Sequence, residues 1–266
     1  MQDLKDVANT YQRDGVVGEV PIMSVEEAAS HRARLEAVEA DFGGSLHYIN
    51  KIHTAMASPY ELVTSPAVLD VVESLIGPDI LLYNSNFIIK EPKTDSRISW
   101  HQDLTYWGLA DDDAQVSMWL ALAPATAASG CMVSIPGSHT SGRAEHVENP
   151  SDDNMLLLGQ QIDGIDESLG RPYELAPGQA SFHHGWSIHH SAPNTTNDRR
   201  IGLNVQYVAP HNRQAGDART ATLVRGEDRH GYYTSEPSPE GEFDRGRVDA
   251  LLAADAAMKA SFQTKN

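Results

Sequence analysis

The spacing of apolar residues predicts a helical first third of the chain. Apolar side chains recur three and four positions apart in three segments, as in amphipathic helices. The predicted helices cover residues 3–13, 24–42 and 65–76, and a short strand is predicted at 16–20. Ser24 with Glu27 forms a capping-box pattern, and Ser65 precedes Pro66 at the start of the third helix. The pattern over 45–56 is mixed and predicts no element.

From Ile80 onward, the pattern changes to short runs rich in β-branched and aromatic residues, separated by Gly, Pro, Asn and Asp. These runs predict eight strands, at 80–90, 97–103, 114–123, 130–135, 172–175, 179–184, 187–190 and 199–209. Short strands after a helical start indicate a mainly β fold, a double-stranded β-helix (jelly-roll, cupin-like) barrel with flanking helices. We expect one domain over 1–266, with a helical part at 1–78 and the jelly-roll core at 79–209. The remainder, 210–266, is expected to form a lid-like surface segment over the barrel mouth and, from about 246, a C-terminal helix.

Alternation within the last predicted strand indicates which side chains face the barrel interior. Successive side chains of a strand point to opposite faces. One face of 199–208 is mostly apolar, and the other carries Arg200, Gly202, Asn204 and Gln206. We expect the apolar face to pack outward and the polar face, with Arg200, to line the lumen. The run 115–122 alternates in the same way. A polar lumen indicates a bound polar ligand.

Composition narrows the functional classes. The net charge of −17 argues against nucleic acid and anionic membranes as partners. The longest apolar runs are far shorter than a membrane span, and the N-terminus lacks a secretory signal pattern. Cys131 is the single cysteine, so we expect a reducing, cytoplasmic setting and a buried, inert thiol. The oligomeric state is left open.

His101 and Asp103 are the strongest candidates for metal ligands. In an extended strand, side chains two residues apart share a face, so both could bind one metal ion from one side. A second imidazole would complete two histidines and one carboxylate, the set that leaves three positions open on a ferrous ion. Two histidine doublets could supply it, with members His183, His184, His189 and His190.

The sequence resembles the phytanoyl-CoA dioxygenase family of non-haem iron, 2-oxoglutarate-dependent oxygenases. The resemblance rests on the motif at 100–103, the stretch 130–139, and the run 189–196 followed by Arg199-Arg200. These occur in family order and at family-like spacing, and the match covers roughly 79–209. A lone His-x-Asp is a weak signal, whereas the whole ordered set is specific.

The resemblance implies roles for individual residues. His101, Asp103 and His189 would hold Fe(II), and Arg200 would pair with the distal carboxylate of 2-oxoglutarate through its planar guanidinium. It also implies co-substrate contacts from three further residues, Ser191, Trp119 and Asn86. Lys51 is an additional candidate in a poorer register. Because halogenating relatives replace the carboxylate with Ala or Gly, the intact Asp103 implies hydroxylation or a related oxidation.

The expected reaction consumes O2 and 2-oxoglutarate, releases succinate and CO2, and oxidises a small polar metabolite or a natural-product intermediate. Two alternatives remain: a jelly-roll metal-binding module without oxygenase activity, and a cupin-like metal enzyme that does not use 2-oxoglutarate. Arg200 favours the 2-oxoglutarate-dependent oxygenase, because only that interpretation readily explains a cation in the lumen at this spacing. Next to the metal motif, Tyr106 and Trp107 are either core residues or part of a substrate rim. Arg199 is expected to be solvated or ion-paired.

Overall fold

The computed structural model describes residues 3–107, 109, 114–156, 158–214 and 219–263, without the side chains of 106 and 257–263. The α-helices in these residues are α1 (Leu4–Asp14), α2 (Val25–Phe42), α3 (Ala57–Val63), α4 (Pro66–Ile76) and α5 (Arg245–Gln263). The strands are β1 (Val16–Pro21), β2 (Ile80–Lys90), β3 (Ile98–His101), β4 (Gln115–Ala121), β5 (Met132–Ser134), β6 (Val147–Glu148), β7 (Gln160–Gln161), β8 (Arg171–Tyr173), β9 (Gln179–His183), β10 (His189–Ser191), β11 (Arg200–Val208), β12 (Thr220–Arg225) and β13 (Thr234–Ser235).

The predicted helices are confirmed, together with their starting signals. The Ser24 hydroxyl accepts a hydrogen bond from the Glu27 amide, and the Glu27 carboxylate accepts one from the Ser24 amide, completing the capping box. Ser65 caps α4 with Pro66 in its first turn. The sequence pattern missed α3, whose seven residues are too few for a periodic signal. Among the described residues, no helix is long and apolar enough to cross a membrane.

The strands form two main sheets, which confirms the predicted jelly-roll class. The large sheet has the order β1-β9-β4-β11-β2-β12-β13, and the small sheet has the order β3-β10-β5-β8. Each of the eight predicted runs contains a strand. We expected a surface segment over 210–245. This was wrong at Thr220–Arg225, because these residues form β12 and pair with β2 in the large sheet. The sequence pattern missed β12 because charges, Gly and Pro on either side mask a short strand.

The large sheet separates an apolar layer from a cavity that contains charged and polar side chains. On β11, Ile201, Leu203, Val205 and Tyr207 are fully buried in the main core, which also takes in apolar residues of the helices. The opposite face presents Arg200 and Asn204 to a cavity that is also lined by His101 and His189 of the small sheet. The alternation predicted for this strand is therefore confirmed, and the cavity lies between the two sheets.

Candidate metal centre and co-substrate cavity

His101, Asp103 and His189 bring three ligand atoms together at one end of this cavity. One nitrogen of each histidine and one oxygen of Asp103 lie within 4.8 Å of one another. Asp103 Oδ1 is 3.3 Å from His101 Nε2 and 3.7 Å from His189 Nε2. The two histidines are partners across β3 and β10, and their ring centroids are 4.1 Å apart. Antiparallel pairing thus joins two residues that are far apart in the chain.

The placement of Asp103 differs from the sequence prediction in one respect. Strand β3 ends at His101, and Asp103 begins a 3-10 helix that runs to Tyr106. The two residues therefore do not lie on one strand. Gln102 between them is extended, with φ −126° and ψ 129°, and this keeps the two side chains on the same side of the chain.

Backbone carbonyls orient both imidazoles toward the shared point. His101 Nδ1 donates to Ser99 O and His189 Nδ1 donates to Ser187 O, each at 2.9 Å. A carbonyl oxygen only accepts, so both rings carry their proton on Nδ1 and present the Nε2 lone pair. Burial holds the pKa of His189 well below its usual value, so this ring stays neutral. Neutral imidazoles with free Nε2 atoms are suited to binding a transition metal.

The second carboxylate oxygen of Asp103 is held from the large sheet. Ser117 Oγ donates to Oδ2 at 2.9 Å, and His183 Nε2 donates to it at 3.1 Å. Burial alone would favour the neutral acid, but hydrogen bonds to the carboxylate outweigh burial and keep the pKa of Asp103 well below its usual value. Sequence reasoning missed both donors, although His183 belongs to a noted doublet and Ser117 lies on the alternating run 115–122.

Arg200 lies in the same cavity as a buried cation with unused donors. Its side chain is 2% exposed, and Nη1 donates to Gly130 O at 3.1 Å. Nε and Nη2 are buried and have no hydrogen-bond partner. Burial lowers the pKa of Arg200 to about 10, so the group remains cationic at neutral pH. A buried guanidinium with two unpaired nitrogens fits a carboxylate that would accept from both. This is the fit expected for the distal carboxylate of 2-oxoglutarate.

Trp119 covers Arg200 on one side. The guanidinium carbon lies 4.9 Å from the centroid of a Trp119 ring, within the range of a cation–π contact. Trp119 is paired with Asn204 on β11, and its ring lies over Gly202. Trp119 lines the cavity, as predicted, and its contact with the co-substrate remains a prediction.

Ser191 lines the cavity near Arg200, and its hydroxyl is already bonded. It donates to Gly130 O at 2.7 Å and accepts from the Lys90 ammonium, also at 2.7 Å. Lys90 is fully buried and also donates to the carbonyls of Ser191 and Ala192. Burial, followed by repulsion from Arg200, lowers the pKa of Lys90. The predicted bond from Ser191 to the co-substrate stays a prediction, and the structure adds Lys90 as its support.

Asn86 and Lys51, the other two candidates for contact with the co-substrate, have different surroundings. Asn86 is buried behind Asn204, accepts from the Asn204 amide at 3.3 Å, and donates to Asn50 at 2.9 Å. Lys51 is not among the residues that line the cavity. Its ammonium lies 2.8 Å from the carbonyl oxygens of Tyr83 and Thr220 and 2.7 Å from a Glu236 carboxylate oxygen. These three acceptors occupy all three ammonium protons, so Lys51 is not placed to bind the co-substrate.

A second cavity adjoins the metal ligands and shares Tyr48, His101, Asp103 and Leu156 with the first. Its volume is about 140 Å³, and its other lining residues are Gln102, Trp107 and Gln160. Trp107 thus lines a cavity, whereas the side chain of Tyr106 lies outside the described residues. Tyr48 has a left-handed backbone with φ 59°, unusual for a large side chain, and burial raises its pKa to about 12. Tyr48 fell in the unassigned interval 45–56.

The other histidines of the two doublets, His184 and His190, and the neighbouring Arg199 do not belong to the metal-ligand group. The ring of His190 packs against Trp100, with centroids 4.0 Å apart, on the other side of β10 from His189. His184 accepts a hydrogen bond from the Trp186 amide. Arg199 forms ion pairs with Glu39 at 2.7 Å and Glu91 at 2.9 Å, which confirms the ion-paired alternative. Cys131 is buried, as expected.

A jelly-roll with two histidines, one carboxylate and a buried arginine in one cavity fits the class of non-haem iron, 2-oxoglutarate-dependent oxygenases. The chain belongs to the phytanoyl-CoA dioxygenase family, whose model matches residues 11–202.

Similar proteins agree with this assignment. A probable phytanoyl-CoA dioxygenase of Caenorhabditis elegans is 29% identical over 183 residues, which are 65% of this chain and 59% of the relative. An L-proline trans-4-hydroxylase of Streptomyces griseoviridis is 27% identical over 74% of this chain and 80% of its own length. The solved structure of a non-heme monooxygenase, ThoJ, is 30% identical, covers 96% of both chains and superimposes with a TM-score of 0.82. Several curated family members match this chain over only about half of their length, for example 46% for the human peroxisomal enzyme.

Proposed function

We propose that this protein is a dioxygenase that uses Fe(II), 2-oxoglutarate and O2 to oxidise a small organic substrate. The observation that carries the proposal is the joint placement of the metal-ligand group and the two unpaired nitrogens of Arg200 in one cavity. A metal-binding module without oxygenase activity would have no need for that buried guanidinium. A metal enzyme without 2-oxoglutarate would leave the same two nitrogens without an explanation.

Each residue of the site would have a separate task. His101, Asp103 and His189 would hold Fe(II) and leave three neighbouring positions for ligands. Arg200 would bind the distal carboxylate of 2-oxoglutarate, and Trp119 and Ser191 would fix its orientation. Asn86 would act through Asn204, which lines the cavity. Bound iron and 2-oxoglutarate would supply an oxidative decarboxylation to succinate and CO2, coupled to oxidation of the substrate.

The substrate would enter the second cavity, next to His101 and Asp103. Tyr48, Trp107 and Leu156 would provide aromatic and apolar contacts, and Gln160 a polar one. We favour a small polar metabolite or a natural-product intermediate, and hydroxylation as the outcome. Support comes from the intact Asp103 and from the small size of the cavity. A cytoplasmic location and the absence of nucleic acid and membrane partners remain predictions from composition.

The test combines spectroscopy with product analysis. Anaerobic addition of Fe(II) and then 2-oxoglutarate should produce a weak visible absorption band, because the co-substrate chelates the metal. Succinate release should then be measured across a panel of amino acids, osmolytes, acyl-CoA esters and natural-product scaffolds, with mass spectrometry for the gain of one oxygen. No band at saturating ligand concentrations, with the metal bound, would favour the alternative of a metal protein that does not use 2-oxoglutarate.

A further inference from the structure

We propose that Ser117 and His183 are positioning residues that hold Asp103 to one-oxygen coordination of the metal. The proposal rests on the function proposed above only in assuming a metal ion among His101, Asp103 and His189. It gives a role to these two buried side chains, which are not themselves metal ligands.

The two oxygens of Asp103 have different surroundings. Oδ1 faces the Nε2 atoms of His101 and His189, at 3.3 Å and 3.7 Å. Oδ2 points the other way and accepts hydrogen bonds from Ser117 Oγ and His183 Nε2. A metal ion at the ligand group would therefore meet Oδ1 first, while both lone-pair regions of Oδ2 are used by protein donors.

The two donors are fixed by the large sheet. Ser117 on β4 and His183 on β9 are direct partners in the antiparallel register, so their side chains are neighbours on one face. Ser117 is fully buried and His183 is 3% exposed. Asp103, by contrast, lies in a four-residue 3-10 helix after the small sheet. Two side chains of the large sheet therefore hold the Asp103 carboxylate, which the short 3-10 helix orients only weakly.

His183 itself is unsuited to the ligand set in this arrangement. Its Nε2 carries the proton that it donates to the carboxylate, so this nitrogen offers no lone pair to a metal. Its ligand atoms do not belong to the group that joins His101, Asp103 and His189 within 4.8 Å. The ring lies 4.7 Å from that of His189, close enough to support the site without entering it.

The consequence concerns the number of open coordination positions. A carboxylate that rotates can chelate a metal through both oxygens and occupy one more position. Two histidines and a single carboxylate oxygen leave three positions, the number that a bidentate co-substrate and O2 require together. Hydrogen bonds to the second oxygen oppose the rotation, so Ser117 and His183 preserve the third open position.

The experiment measures metal binding alone, with Ni(II) as a redox-stable probe and no 2-oxoglutarate. Ser117→Ala and His183→Leu should each weaken Ni(II) affinity by about 10-fold to 100-fold in calorimetric titrations, the usual effect of removing a partner of a metal ligand. His183→Gln keeps an N–H donor and should recover most of the affinity. In difference infrared spectra of metal-loaded against metal-free protein, the wild type should show the wide separation of carboxylate stretching bands that one-oxygen coordination gives. That separation should narrow in Ser117→Ala and His183→Leu.

Ser181→Ala is the matched control. Ser181 lies two residues before His183 on β9, is 1% exposed, and its hydroxyl has no hydrogen-bond partner. Its loss should change neither Ni(II) affinity nor the infrared bands. If His183→Leu fails to fold, Ser117→Ala carries the test, since it removes only one oxygen atom. Unchanged affinity and unchanged bands in Ser117→Ala would overturn the proposal. A wild type that binds Ni(II) but never consumes 2-oxoglutarate would overturn the proposed function and leave this inference standing.

Discussion

A Cβ atom on Gly202 would collide with Cζ2 of Trp119, so the indole occupies the space above this glycine. Gly202 lies two residues after Arg200 on β11, and the same indole packs against the Arg200 guanidinium. Because Gly202 has no side chain, the Trp119 ring can lie against the Arg200 guanidinium.

Gly202→Ala should displace the Trp119 ring and weaken 2-oxoglutarate binding. We expect a loss of stability of about 1–3 kcal/mol, as for other overpacked sites. The affinity for 2-oxoglutarate should fall by about 10-fold, equivalent to ~1.4 kcal/mol. Anaerobic titrations and thermal melts would measure the two effects. Gly44→Ala, at an exposed glycine where a Cβ meets nothing closer than 3.9 Å, should change neither.

Arg200→Ala should raise the apparent dissociation constant for 2-oxoglutarate by roughly 30-fold or more. Losing one partner of a buried charge pair costs about 2–5 kcal/mol, because the other charge is left unpaired. Arg200→Lys should be intermediate, since it keeps the charge and loses the planar pair of donors. Iron affinity should be close to that of the wild type in both variants.

Arg199→Ala is the control for this prediction. Arg199 is paired with Glu39 and Glu91 outside the cavity, so its loss should affect stability and leave 2-oxoglutarate binding unchanged. A large binding defect in Arg199→Ala, with normal binding in Arg200→Ala, would contradict the assigned role of Arg200.

Alanine at His101, Asp103 or His189 should abolish turnover, because each substitution removes one of the three ligand atoms that lie within 4.8 Å of one another. His190→Ala should retain much of the activity, since that ring packs against Trp100 and is not in the ligand group. Succinate release, with circular dichroism to verify folding, would decide whether His189 or His190 is the metal ligand. An inactive but folded His190→Ala beside an active His189→Ala would show that the ligand is assigned one residue too early.

Glu236 should make the stability of the protein depend on pH in the acidic range. Burial raises its pKa, but hydrogen bonds and charge from His53 and Lys51 outweigh burial and lower it to about 2. Because the folded state lowers this pKa from its ordinary value of 4.5, the stabilisation is complete above about pH 4.5. It is lost progressively as the pH falls toward about 2. The contribution at neutral pH is on the order of 3 kcal/mol.

Urea unfolding at neutral and acidic pH would measure this contribution. Glu236→Gln should be less stable than the wild type at neutral pH, and the difference should shrink in acid, where the wild-type carboxylate is protonated. Glu240→Gln, at an exposed position of the same segment, should follow the wild type throughout. A difference between Glu236→Gln and the wild type that stays constant with pH would exclude the carboxylate charge as the cause.

The sequence alone determined much of the fold and part of the site. Two-residue alternation over β11 assigned Arg200 to the cavity and Ile201 to the core, because the geometry of an extended chain imposes that period wherever the strand lies. Capping residues likewise determined where α2 and α4 begin, since their hydrogen bonds are local. The ordered motifs gave the family and, through it, the choice of His189 from two doublets.

Tertiary structure decided what depends on contacts between distant segments. Lys51 is bound outside the cavity because Glu236, 185 residues later in the chain, returns beside it directly after β13. The two donors to Asp103 become neighbours only through the register of β4 with β9, and they reach the carboxylate only because two sheets face one cavity. Periodicity describes the faces of one element, whereas the partner of a buried charge is set by how elements pack. The polar contacts around Asp103 could therefore be identified only in the folded chain.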